Sequence, residues 1–338
     1  MNNSNSLHES SCLHTVCQTP AELRIAEAEG TPAGALFQAI NSIASAVEGE
    51  FPSVAVDTIA GGPAPAITRP RGNVIVRLTD IDANFAKPLT DRSNAPAQRH
   101  LESWAKTCDR IYIWHYITSF SNYTMPFPDW SPLGVDTANW ASHGVRGVFT
   151  QAGASPAGAG PAAVDMDALK AFVVGRMLWN SSLDPDALTA QFLAGYYGEA
   201  AASVRTYMET MSRSVDAAGY YLREFGTPAS APFLTPHALL ASARALEDGR
   251  QVVTGKQRAR VEVVRQSVYY IALQRWDELR GFAQNRSIEW PLAATKAEAW
   301  TEFSRVWNSS GTRSVSQGLC GLACFREQVF PPRAGGHP

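Results

Sequence analysis

Four short apolar runs alternate with helical stretches in the first 155 residues, and this alternation leaves few folds open. The runs span residues 53–59, 73–79, 110–117 and 145–151. Strand, helix and strand in succession form a parallel pair with a right-handed crossover. The third run, RIYIWHY, is apolar along nearly its whole length. That pattern is expected of a strand buried on both faces. Four such units make half of an eight-unit (β/α)8 barrel. A half barrel leaves two open edges, an aggregation liability that a second copy of the chain would relieve.

The character changes after Asp165. Amphipathic segments follow one another, beginning with MDALKAFVVGRMLWN and DPDALTAQFLAGYYG. Asp184 suits an N-cap, with Pro185 at the first helical position. Expected core residues here are Leu178, Phe192, Tyr196, Leu239, Leu246, Val264, Tyr269, Ile271 and Trp276. The expected class is α/β: the C-terminal half of a (β/α)8 TIM-like barrel followed by an all-α helical domain. Residues 1–30 read as an irregular Cys-containing segment with a short helix. Residues 31–155 read as the partial barrel of four βα units. Residues 163–328 read as the helical domain, with about six helices by apolar spacing. Residues 329–338 read as a disordered tail.

Composition removes several function classes. The net charge is −2 over 338 residues, which gives no electrostatic case for nucleic acid or an anionic membrane. No stretch approaches the ~20 apolar residues of a membrane helix. Sequons at Asn2, Asn122, Asn180, Asn285 and Asn308 suggest an extracellular setting, whereas MNNSNSLHESSCLH shows no signal peptide. The compartment therefore stays open.

The five cysteines do not have zinc-knuckle spacing. Cys12 and Cys17 are paired in sequence, as are Cys320 and Cys324, while Cys108 stands apart; local disulfides or plain thiols are expected. No metal and no cofactor is expected. P-loop, G-x-S-x-G and H-E-x-x-H motifs are missing.

The runs RPRGNVIVRL, RIYIWHY, NYTMPFPDW, GVRGVFTQ and MLWNSSLDPDALTAQFLAGYYGEAA together resemble the bacterial domain of unknown function DUF4838 over roughly residues 30–225. That family in turn resembles family 67 α-glucuronidases and related glycoside hydrolases. The resemblance implies a barrel with a helical C-terminal domain and a carbohydrate substrate. It also implies that this chain begins in the second half of the barrel, with Cys12 and Cys17 as relics of a Cys-rich stretch.

Glycoside hydrolysis needs two carboxylic acids flanking the scissile bond. In a barrel they sit at C-terminal strand ends. Asp57, Asp80 and Asp82 are the candidates. Asp57 reads either as an inward-facing carboxylate or as an Asp bonded to neighbouring backbone. Asp80 and Asp82 lie two apart, on one side of an extended chain, where like charges would raise one pKa. They read equally as a solvated loop or a helix N-cap. His115 stands where the resemblance implies Asp, in a W-D-Y motif. It can transfer protons but cannot replace an anionic carboxylate. Trp114, Tyr116, Tyr123 and Trp130, with Phe127, read as rings lining a sugar cleft or as core. Gln151 ends the last strand without a carboxylate and is placed among the substrate-binding groups. Two functions follow: a glycoside-hydrolase-like protein acting on complex, uronic-acid-bearing polysaccharide, or a non-catalytic carbohydrate-binding or scaffold protein. A truncated gene model of an active glycosidase is a third reading.

Overall fold

In the computed structural model the described residues are 19–153, 164–317 and 320–331. The expectations for Cys12, Cys17 and the tail from residue 332 fall outside them. The chain divides into two compact units, residues 1–116 with 135–150, and residues 117–134 with 151–338. The aromatic loop after the third strand thus belongs to the second unit.

The first unit opens with α1 (Pro20–Glu29). Thr19 caps it, and Glu22 returns a bond to the cap backbone. Gly30, at φ 68°, ends it in the left-handed region that glycine adopts freely. Then come α2 (Ala33–Glu50), β1 (Val56–Ala60), β2 (Val74–Thr79), α3 (Ala95–Ala105), β3 (Ile111–Tyr116), α4 (Trp130–Ser142) and β4 (Gly147–Gln151). The four strands form one parallel sheet in the order β1-β2-β3-β4. Val56 pairs with Val74, and Val76 with Ile111.

Burial along β2 alternates strictly. Val74, Val76, Leu78, Ile111 and Ile113 are buried, as are Phe37, Ile40, Leu101 and Trp104 of α2 and α3. Phe37 and Trp104 meet at 4.9 Å between ring centroids. Each such aliphatic side chain taken from water contributes about 1.5–3 kcal/mol. The neighbouring positions Ile75, Arg77, Thr79, Tyr112 and Trp114 are only half-buried. This corrects the reading of RIYIWHY as a strand buried on both faces: helices cover one face of the sheet, and the other carries polar and aromatic groups.

The second unit contains α5 (Asp167–Trp179), α6 (Pro185–Tyr197), α7 (Ala201–Ala218), α8 (Pro236–Val252), α9 (Gly255–Gln274), α10 (Trp276–Asn285), α11 (Lys296–Ser310) and α12 (Leu322–Val329). That makes eight α-helices from Asp167 onward among the described residues, where about six were expected. The Asp184 cap forms as expected and accepts from the amides of Asp186 and Ala187. α7 stops at Ala218, because Gly219 turns left-handed. α9 and α10 are parted at Arg275, whose guanidinium reaches the Leu234 carbonyl at 2.6 Å and the Glu278 carboxylate. Leu178, expected in the core, is exposed. Leu169, Val173, Val174 and Met177 take the inner face of α5 instead.

Buried charge fixes the aromatic loop. Lys170, fully buried on α5, pairs with Asp129 at 2.7 Å and donates to the carbonyls of Ile117 and Phe127. Asp165 accepts from the Phe127 amide, the Tyr207 hydroxyl and the Ser267 hydroxyl. Cys320 and Cys324 form a disulfide across the start of α12.

Candidate functional site

Position along a strand decides which side of the sheet a residue serves, because side chains alternate with a period of two. His115 shares the parity of Ile111 and Ile113. Asp80 shares that of Val76 and Leu78. Both therefore turn toward the helix-covered face. There His115 Nδ1 meets Asp80 Oδ2 at 2.6 Å, and both residues are buried. Trp140 of α4 lies edge-on to the imidazole at 5.0 Å, and Phe85 at 5.4 Å.

Asp136, one helical turn before Trp140 on α4, completes the cluster. Its Oδ1 accepts from the Leu89 amide at 2.7 Å. Burial drives its pKa up from 3.8 to about 7; the Leu89 amide and the charge of His115 pull it down, and Asp80 pushes it up. Sequence reasoning passed over Asp136. The signal available was its place on the same helical face as Trp140.

A small cavity of about 20 Å³ adjoins this cluster, bounded by Asp80, His100, Leu101, Leu89 and Trp140. That is room for about one water, not for a sugar ring. Burial and the charge of Arg99 lower the pKa of His100, while Asp82 raises it.

The other candidates separate from this cluster. Asp82 is exposed where Asp80 is buried. The chain turns after Asp80, with the Ala83 amide bonding back to the Asp80 carbonyl at 2.8 Å. The extended geometry that would have aimed both carboxylates one way is therefore not adopted. Asp57 is the second residue of β1, since the strand starts at Val56 rather than 53. It lies at the N-terminal end, is largely exposed and pairs with Arg77. Its expected place at the C-terminal strand end is thus corrected.

Trp114 and Tyr116 take the face away from the helices. Trp114 meets Phe149 at 5.2 Å and Tyr116 at 6.3 Å. The Tyr116 and Thr79 hydroxyls lie 3.3 Å apart. Arg77 lies over the Tyr112 ring. Phe149, unremarked in the sequence, is 43% exposed. Tyr123 and Trp130 belong to the second unit, where both are buried. Trp130 Nε1 donates to the Ser212 hydroxyl at 3.0 Å. Their rings are engaged in packing, which corrects their placement in a cleft with Trp114. Gln151 is half-buried, and its carbonyl accepts from the Ile117 amide.

Asn122, in the sequon inside the aromatic loop, donates to the Thr227 carbonyl at 2.8 Å and accepts from the Tyr270 hydroxyl at 2.7 Å. No group of three or more potential metal ligands occurs among the described residues. Nor is any helix among them long and apolar enough to cross a membrane.

The sheet with its sealed Asp–His–Asp cluster and its opposite aromatic face is the setting in which the comparisons with known proteins stand. The model of the family described as Domain of unknown function (DUF4838) matches residues 6–209, and the chain belongs to that family. No curated protein and no solved structure matches.

Proposed function

We propose that this chain is a carbohydrate-binding protein of glycoside-hydrolase ancestry, built on the C-terminal half of a (β/α)8 barrel followed by an all-α domain. The parallel order β1-β2-β3-β4, with helices on one face, supports the barrel reading. In that reading the face bearing Asp57, Arg77, Tyr112, Trp114 and Phe149 is the barrel's interior side. One observation carries the choice of binding over hydrolysis: Asp80 and His115 turn to the helix side and are sealed there. Among the described residues the candidate carboxylates do not converge on a common opening. Aromatic rings can still bind sugar, because their faces pack on the apolar C–H faces of pyranoses. The perturbed Asp136 favours a second reading, an active glycosidase, since strongly shifted carboxyls gather at catalytic sites.

The test is a panel of aryl glycosides and glucuronides assayed beside binding to glycans. We expect no turnover, with binding weakened at least tenfold by Trp114→Ala. His115→Asp should gain no activity, because the position faces the helices. Turnover by the wild-type chain that Asp57→Asn abolishes would overturn the binding reading.

A further inference from the structure

Trp179 is 91% exposed, more than any other large apolar side chain described. It closes α5, in the helical hairpin that α5 makes with α6. Three of its neighbours on α5 share its face at helical spacing: Arg176, Phe172 and, between them, the exposed Gly175. The surface continues from ring to ring. Arg176 lies over Phe172 at 5.8 Å. Phe172 meets Phe192 of α6 at 5.3 Å, and Phe192 stacks on Tyr196 at 4.7 Å. Arg260 of α9 then lies over Tyr196 at 3.9 Å and donates to its carbonyl. The result is a ridge whose half-buried rings, Phe172 and Tyr196, rest on the buried Phe192, with a guanidinium at each end and the exposed Trp179 indole beyond one of them.

We propose that this ridge binds an acidic, uronate-bearing oligosaccharide, Trp179 stacking on a sugar face while Arg176 and Arg260 take carboxylates. The proposal rests on the carbohydrate reading above and places a second subsite within the helical unit. Charge is the reason for choosing an acidic glycan over another protein. Among the described residues neither Arg176 nor Arg260 has a carboxylate within ion-pair distance, although many of the chain's other arginines do. Guanidinium matches carboxylate in planar, two-pronged fashion, and both of these are oriented by the rings beneath them. The exposed residues between them, Ala171, Gly175, Ala194 and Gly195, are small and uncharged. A sugar chain can lie along such a strip, whereas a protein hot spot surrounds its aromatic anchor with other apolar groups. From Phe172 to Trp179 the helix rises about 10 Å, longer than one sugar ring.

The experiment is calorimetric titration of the full chain with a galacturonate oligosaccharide and with its neutral hexose counterpart. The expected result is binding of the acidic chain only, weakened at least tenfold by Trp179→Ala and by Arg176→Gln, and weakened by salt. Both side chains are exposed, so both variants should keep the wild-type melting temperature. Equal binding of the neutral chain, or acidic binding unchanged in either variant, would overturn the proposal. So would a dimer in sizing chromatography that Trp179→Ala converts to monomer, since the ridge would then meet a second copy. Trp114→Ala separates the two readings. If it leaves uronate binding intact while Trp179→Ala abolishes it, the ridge stands as a site of its own; if Trp114→Ala abolishes it and Trp179→Ala does not, the ridge alone is overturned.

Discussion

Asp136→Asn should make the protein less sensitive to alkali. The carboxyl of Asp136 on α4 is held by the amide of Leu89 in the loop after β2, and burial raises its pKa from 3.8 to about 7. A raised carboxyl pKa means that the folded state holds the proton after the unfolded chain has released it. Stability is therefore fully present below pH 3.8 and is lost as pH rises toward 7. The shift of about 3 units corresponds to about 4 kcal/mol across the whole window. About half of it, about 2 kcal/mol, falls between pH 5 and pH 7. Asn keeps the acceptor for the Leu89 amide and cannot ionise. The measurement is urea unfolding of wild type and variant at pH 5 and pH 8, followed by tryptophan fluorescence. Groups not coupled to Asp136 contribute alike to both proteins, so the difference between the two reports Asp136 together with its coupling to His115 and Asp80. The variant should gain about 3 kcal/mol on the wild type from pH 5 to pH 8. Parallel profiles across that range would refute the reasoning, because Asp136 would then ionise alike in both states.

Lys170→Met should destabilise the second unit by about 3–5 kcal/mol, since it leaves the buried Asp129 carboxylate without its ammonium. Adding Asp129→Asn should recover much of that loss in thermal unfolding, and a double variant no more stable than the single would count against the ion pair. Gly147→Ala should cost about 1–3 kcal/mol, because a Cβ there would come within 2.7 Å of the Tyr112 ring; a wild-type melting temperature would show that the ring yields freely.

The elements of this chain were written in local patterns, and the site was not. The strand runs, the Asp184–Pro185 start of α6 and the helical spacing of α7 through α9 depend on neighbours within a turn or two. They could be read directly. The face each strand residue serves depends on which side the helices pack, and sequence period alone leaves that choice open. RIYIWHY shows the cost: His115 and Trp114 are adjacent, yet one belongs to the helix side and the other to the opposite face. Asp80 and Asp82 part for a similar reason: Asp80 is held by Trp114 and His115, more than 30 residues on, and the chain turns directly after it. Arg275 breaks a helix with no Gly or Pro to mark the place, through a bond to Leu234 that is 41 residues away in sequence. Tyr123 and Trp130 read well as cleft linings only while the partners that bury them were unknown.

The engaged side chain of Asn122 has a consequence for timing. Once its amide is held between Thr227 and Tyr270, over a hundred residues downstream, the folded loop offers no free acceptor to a glycosyltransferase. Only a chain whose later helices have not yet been made or docked presents that sequon. In an oxidising, glycosylating compartment, sugar on Asn122 would thus act as a stopwatch. Its occupancy would record how long the loop waited for the segments that carry Thr227 and Tyr270.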